Sequence, residues 1–273
     1  MRLRLRLRLR QRWPLTGILG AVLLAVFVVV AAGAPHLAPY DPWERFDPYQ
    51  PPDRVHWLGT NDRGHDIFSE LIYGARTTLL VGFLAGLCAT GIGVTMGVTA
   101  AYSRGTVDQI LMSLTEVAVL IPKLPLIIIL SAFLRPGPRA VALVIGLLWW
   151  PATALVARSA ALSVRESNYV KSARNFGLPG WYIVITDILP NISGVVWPRL
   201  MQSVAAAVGT EASLSFLGIG DPSAKSWGLM LNHAFSRGGV VNDMWWWYLP
   251  PGFCISLFIG VVLMIGLAVE EVR

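Results

Sequence analysis

Residues 165–191, RESNYVKSARNFGLPGWYIVITDILPN, form a polar, basic island between two long apolar blocks. The chain of 273 residues is 55% hydrophobic and 14% charged, against ~25% charged in soluble domains. A soluble fold of this size has no interior for so much apolar side chain, so the blocks read as membrane helices and the island as a loop outside the lipid. The fold class that follows is an all-α integral membrane protein with six transmembrane helices. The net charge of +6 does not signal a nucleic-acid partner, because the basic residues flank apolar spans, as at the cytoplasmic ends of membrane helices. Cys88 and Cys254 lie inside apolar runs and read as small core residues rather than a disulfide or metal pair.

Upstream, residues 1–13 carry arginine at every even position from Arg2 to Arg12 and read as a basic cytoplasmic tail lying on anionic lipid. Residues 14–36 give the first transmembrane helix, uncharged from Pro14 to Ala34 and too long for a signal-peptide core. Residues 37–76 read as an extracytoplasmic loop. From Asp41 to Glu70 they hold seven acids against three arginines, and Asp66–Ala75 predicts a short amphipathic helix with Ile67, Leu71 and Gly74 on one side.

Residues 77–273 are expected to form a core of five further helices. The second helix, Thr77–Tyr102, holds Gly82-x-x-x-Gly86 and Gly93-x-x-x-Gly97. That spacing serves close helix approach, or reflects the abundance of glycine in membrane helices. After a cytoplasmic turn at residues 103–106, the third helix runs over Val107–Leu134 with Asp108 near its end and kinks at Pro122 and Pro125. Glu116 and Lys123 lie deeper, ~10 Å apart along an ideal helix. With Arg199 and Glu211 of the fifth helix they are candidates for lining a translocation path, since intramembrane charge marks function by default. The structural alternative has Glu116 bonding a neighbouring helix and Lys123 snorkelling outward.

The fourth helix is expected over Ala140–Ala157, with Arg158 returning the chain to the cytoplasm. The fifth starts near Asn191 as an N-cap behind Pro190 and runs to Leu217. Residues 218–247 form a second extracytoplasmic segment ending in Trp245, Trp246 and Trp247, an aromatic belt. The last helix is expected over Leu249–Val269. Six spans put both termini, and the island, in the cytoplasm.

Within the island (loop 163–190), Tyr169, Val170, Ala173 and Phe176 recur at helical spacing as one apolar face, with Glu166, Lys171 and Arg174 pointing elsewhere. Gly177 followed by Leu178 and Pro179 stops the helix, and a second short helix, 180–188, is expected to end at Pro190. A helix flat on lipid and a helix entering a groove on another protein both fit this pattern.

The segment SNYVKSARNFG with ILPN downstream resembles the cytoplasmic EAA loop of ABC-importer permeases. Ala173, Gly177, Leu189 and Pro190 hold that pattern, while Lys171 stands where an acid is usual and Ser172 where an alanine is usual. WLGTNDRGHDIFSELIYGARTTLLVG and TEASLSFLGIGDPSAKSWGLML are similar to segments of the DppC/OppC-type subunits of dipeptide, oligopeptide and nickel importers; Asn61, His65 and Glu70 depart from the usual Asp, Arg and Arg.

The resemblance implies a type I ABC-importer permease fold with a cytoplasmic coupling helix, contacting the ATPase through Glu166, Tyr169–Arg174 (Ser172 included) and Phe176–Leu178. It also implies a bacterial inner-membrane complex. Its members are this chain, a paralogous permease in a heterodimer, two cytoplasmic ATP-binding subunits and an extracytoplasmic solute-binding protein. No Walker-type Gly-x-x-x-x-Gly-Lys-Ser/Thr loop occurs in the chain. ATP and Mg are therefore expected in the partner subunits, with no cofactor or catalytic residue in this chain. His36, His56, His65 and His233 are scattered along the sequence, and no metal site is expected. Nickel or a metal chelate is the alternative cargo to peptides. Two readings from other classes are an ion-coupled secondary transporter using Glu116 and Lys123 as a relay, and a non-transporting membrane scaffold.

Overall fold

The computed structural model describes residues 14–133 and 137–271, and within them the chain is helical with no strand beyond one isolated Thr60–Asp66 bridge. The basic tail 1–13 and residues 134–136 of the expected outer turn lie outside the described residues.

Helix α1 (Leu15–Ala32) is followed by one turn, α2 (Ala34–Leu37). Its small residues Gly17, Gly20 and Ala31 are buried, whereas Ile18, Leu19, Val22 and Val29 are exposed. An apolar outer surface of this kind suits lipid rather than water. Helix α3 (Ile67–Ser103) is continuous for 37 residues. The expected short helix over 66–75 is its first two turns: Asp66 caps the N-terminus by accepting from Ser69 N–H, and nothing between Gly74 and Thr77 breaks it. At ~1.5 Å per residue it is ~55 Å long, well beyond a ~30 Å hydrocarbon core.

Gly82 and Gly86 face Val208 and Val204, while Gly93 and Gly97 face Thr153 and Ala154. A Cβ on Gly82 would sit 2.4 Å from Val208 Cγ2, and one on Gly97 2.4 Å from the Ala154 carbonyl. Both glycine pairs are therefore packing seams within the chain. The first receives α9 (Leu189–Phe216), the second α6 (Pro138–Arg165).

The expected third helix is two helices, α4 (Gly105–Leu120) and α5 (Lys123–Phe133), bent by 85°. Pro122 and Pro125 remove N–H donors one turn apart, so the ladder parts rather than kinks. α6 extends to Arg165, eight residues past the expected end. It is joined to α4 by Arg158, which donates from Nε and Nη2 to the two carboxylate oxygens of Asp108, both at 2.6 Å.

The island contains α7 (Asn168–Asn175) and α8 (Gly180–Ile183). Contrary to expectation, Pro190 does not end the second of these. A π-helical turn, Val184–Ile188, carries the chain directly into α9. Pro190 lies just past the π turn, and the helix runs on through it. Asn191 is not an N-cap; its side chain donates to the Asp187 carbonyl at 2.6 Å.

Beyond α9 come α10 (Trp227–Ser236) and α11 (Trp245–Glu271). The three tryptophans open α11 instead of preceding it, and Trp247 is buried while Trp245 is half exposed. The main core gathers Phe27, Leu79, Val208, Trp227 and Phe258 from five helices. Gly74 makes room for Trp227, whose indole N–H donates to the Leu71 carbonyl at 2.9 Å.

Among the described residues, four helices (α1, α3, α6 and α11) are long and apolar enough to cross a membrane, five if the bent α4–α5 pair is one span. The expected count of six needs α9 as well, whose 28 residues carry Arg199 and Glu211.

Candidate functional site

The island is fixed to the bundle at three points. Val170 is fully buried and Ala173 partly so. The Tyr102 ring at the end of α3 has the Arg174 guanidinium 5.4 Å and the Arg165 guanidinium 6.0 Å from its centroid. Gly180 lies against the same ring, its missing Cβ 2.7 Å from the Tyr102 hydroxyl.

The C-terminus of α7 closes as a Schellman motif: Leu178 N–H bonds to the Ala173 carbonyl at 3.2 Å and Gly177 N–H to Arg174 at 3.0 Å. Gly177 has φ +75°, a left-handed conformation that disfavours any side chain with a Cβ.

This geometry divides the expected apolar face. Val170 and Ala173 turn into the bundle, whereas Tyr169 is 48% and Phe176 86% exposed. Leu178, Trp181, Tyr182 and Ile185 are exposed beside them. The result is an aromatic surface on a fixed turn, outside the packed bundle. Lys171, Ser172 and Arg174 are exposed as well.

Lys171, the residue that departs from the resemblance, has its acid nearby: its Nζ lies 3.2 Å from Glu166 Oε2, and Arg104 holds the other carboxylate oxygen. The hydrogen bond from Lys171, then the Arg104 and Lys171 charges, keep the Glu166 carboxyl below the usual range. Trp181, Tyr182 and Tyr102 were not singled out from sequence. The Gly-Trp-Tyr run behind Pro179 is a visible aromatic cluster, but its exposure depends on how the island meets α3.

The opposite end of the molecule is a cap made by residues 38–66, the segment after α9, and α10. Glu70 is buried, accepting from Asn61 Nδ2 at 2.9 Å and from Lys225 Nζ at 2.5 Å. His65 Nδ1 lies 3.2 Å from Glu70 and 2.9 Å from Lys225 Nζ. The three departures that fall in this segment (Asn61, His65 and Glu70) thus form one buried cluster, closed by Lys225, 155 residues from Glu70. His56 Nδ1 is 2.9 Å from Asp66, and Arg237 is 2.9 Å from Asp62. His65 and His233, far apart in sequence, line one outer pocket of about 200 Å³ with Trp43, Arg63, Glu70 and Lys225. Burial pushes the His233 pKa down.

The four candidate path residues do not form one cluster, although Arg199 lies near enough to Lys123 for their charges to act on one another. Glu116 is exposed on α4. The ~10 Å spacing to Lys123 does not apply, because the helix breaks between them. Arg199 is half-buried and donates to Gln202 at 2.6 Å. Glu211 is buried, accepting from Ser215 at 2.7 Å and from Thr78 of α3 at 3.5 Å. Only Lys123 borders a large opening. This is a cleft of about 580 Å³ at the α4–α5 break, where its Nζ stands 4.3 Å from the Trp149 ring centroid.

Residues 93–270 match the family described as binding-protein-dependent transport system inner membrane component. The chain is 32% identical over 253 residues to the dipeptide transport system permease protein DppC of Bacillus subtilis, covering 92% of this chain and 78% of that protein. It is 33% identical to the glutathione transport system permease protein GsiD of Pectobacterium atrosepticum, over 79% of this chain and 73% of the relative. With the probable D,D-dipeptide transport system permease protein DdpC of Escherichia coli it shares 32% identity, over 89% and 82%. Apolar helices able to cross a membrane, and a match running from the middle of α3 to the end of α11, lead to one conclusion: this chain belongs to the binding-protein-dependent transport system inner membrane components, a family of multi-pass ABC-importer permeases.

Proposed function

We propose that the chain is one of two membrane halves of an ATP-driven importer for di- and oligopeptides, paired with a paralogous permease. Two cytoplasmic ATPases drive it and an extracytoplasmic binding protein loads it. The peptide cargo is taken from the relatives named above, which are permeases for dipeptides, D,D-dipeptides and glutathione. In this reading the six spans include α4–α5 as one crossing and α9 as another. The island and both termini are cytoplasmic, and the outer cap meets the binding protein. ATP and Mg stay in the partner subunits.

The observation that carries the coupling role is the exposed apolar surface of Tyr169, Phe176, Leu178, Trp181 and Tyr182. It is exposed on a turn fixed by the Schellman motif and the Tyr102 clamp. Exposed aromatics on a pre-set scaffold are the anchors expected of a helix that enters a partner's groove. Closure of the ATPases would move both grooves, and each permease half would follow as a unit. What weighs against the ion-coupled alternative is the match to a binding-protein-dependent transport family.

The test is Phe176→Asp in the full complex. Insertion should be retained, while ATPase co-purification and ATP-dependent uptake are lost. If co-purification and uptake are unchanged, the coupling assignment fails.

A further inference from the structure

The cleft at the α4–α5 break has a chemistry that the coupling role does not use. Helix α4 is ~24 Å long at ~1.5 Å per residue, short of a ~30 Å core, so the break falls before the far boundary. There the first turn of α5 begins with Lys123. Asp108 has Arg158 and Glu211 has Ser215, whereas Arg199, whose charge reaches Lys123, has only the neutral Gln202. Lys123 has no ion-pair partner among the described residues. Its ammonium rests over the Trp149 ring, a contact that steadies the cation and leaves its three N–H donors unspent.

On the opposite wall, Thr210 donates its hydroxyl to the Ala206 carbonyl at 2.7 Å and Ser213 to Gly209 at 2.8 Å. Both residues line the cleft, and with their hydrogens committed each hydroxyl can offer a further ligand only an acceptor. The cleft therefore presents one positive donor and a pair of neutral acceptors, in a volume of about 580 Å³ that suits a small ligand. A peptide's terminal carboxylate matches the donor, and its backbone N–H groups match the acceptors, whatever its side chains are.

We propose that this cleft is a carboxylate-binding site in the translocation path, with Lys123 holding the C-terminal carboxylate of a passing peptide. The proposal rests on the peptide-importer reading above. A lone ammonium, a point charge rather than a bidentate fork, holds a carboxylate without locking it. Transit requires binding strong enough to enter and weak enough to leave.

The test is equilibrium binding of three peptides to the detergent-purified complex of permeases and ATPases, without the binding protein: Ala-Ala-Ala, its C-terminal amide, and Ala-Glu-Ala amide. The wild-type complex should bind the free acid about tenfold more tightly than either amide. Lys123→Met and Lys123→Gln should each erase that preference, and Lys123→Arg should keep it. Equal binding of acid and amide by the wild type overturns the proposal, as does a preference that survives in Lys123→Met or Lys123→Gln. Ala-Glu-Ala amide binding like the free acid overturns the assignment to the chain terminus. Failure of the importer reading would look different: the complex reconstituted with its binding protein would show no ATP-dependent peptide uptake at all.

Discussion

The two ends of the molecule handle their polar groups in opposite ways. In the outer cap, charges are spent on one another: Glu70, Lys225, His65 and Asn61 close into a buried cluster, with Asp66–His56 and Asp62–Arg237 around it. In the island, the charges Glu166, Lys171 and Arg104 remain about half exposed, and the aromatic side chains face outward. A buried network ties distant segments together and fixes their shape. A surface of exposed aromatics on a preset turn leaves apolar area unburied, which is stable in isolation only because so few residues carry it. The cap is tied together by its own contacts, while the island leaves apolar side chains open, which is the surface the proposed coupling role would use.

The sharpest way to break this contrast is at Lys225. Lys225→Met leaves Glu70 buried without its cation and should cost ~3–5 kcal/mol. The readout is a lower unfolding temperature in detergent with early proteolysis within residues 38–66. The double variant Glu70→Gln/Lys225→Met should recover much of the loss, because no unpaired charge remains. Next in size, Gly177→Val forces a β-branched residue to φ +75° and should cost ~1–3 kcal/mol. Its proteolysis should be confined to the island, with the cap unaffected and ATPase co-purification lost.

Phe176→Ala should leave stability within ~0.5 kcal/mol, since the side chain touches little of its own chain. Affinity for the ATPases should still fall by ~10- to 30-fold, as at an interface anchor. Smallest of all, Lys171→Ala should not move the unfolding temperature measurably, because exposed ion pairs contribute little. The Glu166 carboxyl lies below its ordinary range. The contribution of its ties is therefore complete above the unfolded-state pKa and lost only as pH falls through the folded value. Island proteolysis should be flat from pH 8 to pH 6 and rise only in more acid buffer.

What could be read from sequence was what is local. The Gly177–Pro179 stop was legible because a left-handed cap is decided by its own residues. The helical blocks were legible for the same reason. Pro122 and Pro125 announced a disturbance, but nothing in their spacing gives its size, an 85° break rather than a kink. The apolar face of α7 was legible as a period and not as a burial pattern. Val170 and Phe176 look equivalent until Tyr102 fixes how the helix lies. Glu70 read as an isolated departure because its partner is 155 residues away, and no spacing rule connects a helix start to a distant loop. Lys123 was flagged by its charge alone; the cleft that gives it a role appears only once α4 and α5 part.

The π turn at Val184–Ile188 has a mechanical meaning. Because it replaces a loop, Gly180 to Phe216 is one unbroken rod, ~55 Å long at ~1.5 Å per residue. It has no slack in which a displacement could be lost. Under the proposed coupling role, a load applied at Tyr182 would be carried along this helix toward Glu211, where it meets α3 through Thr78, rather than taken up by a loop. The π turn widens the rod by one residue at its base, the place where such a lever would pivot.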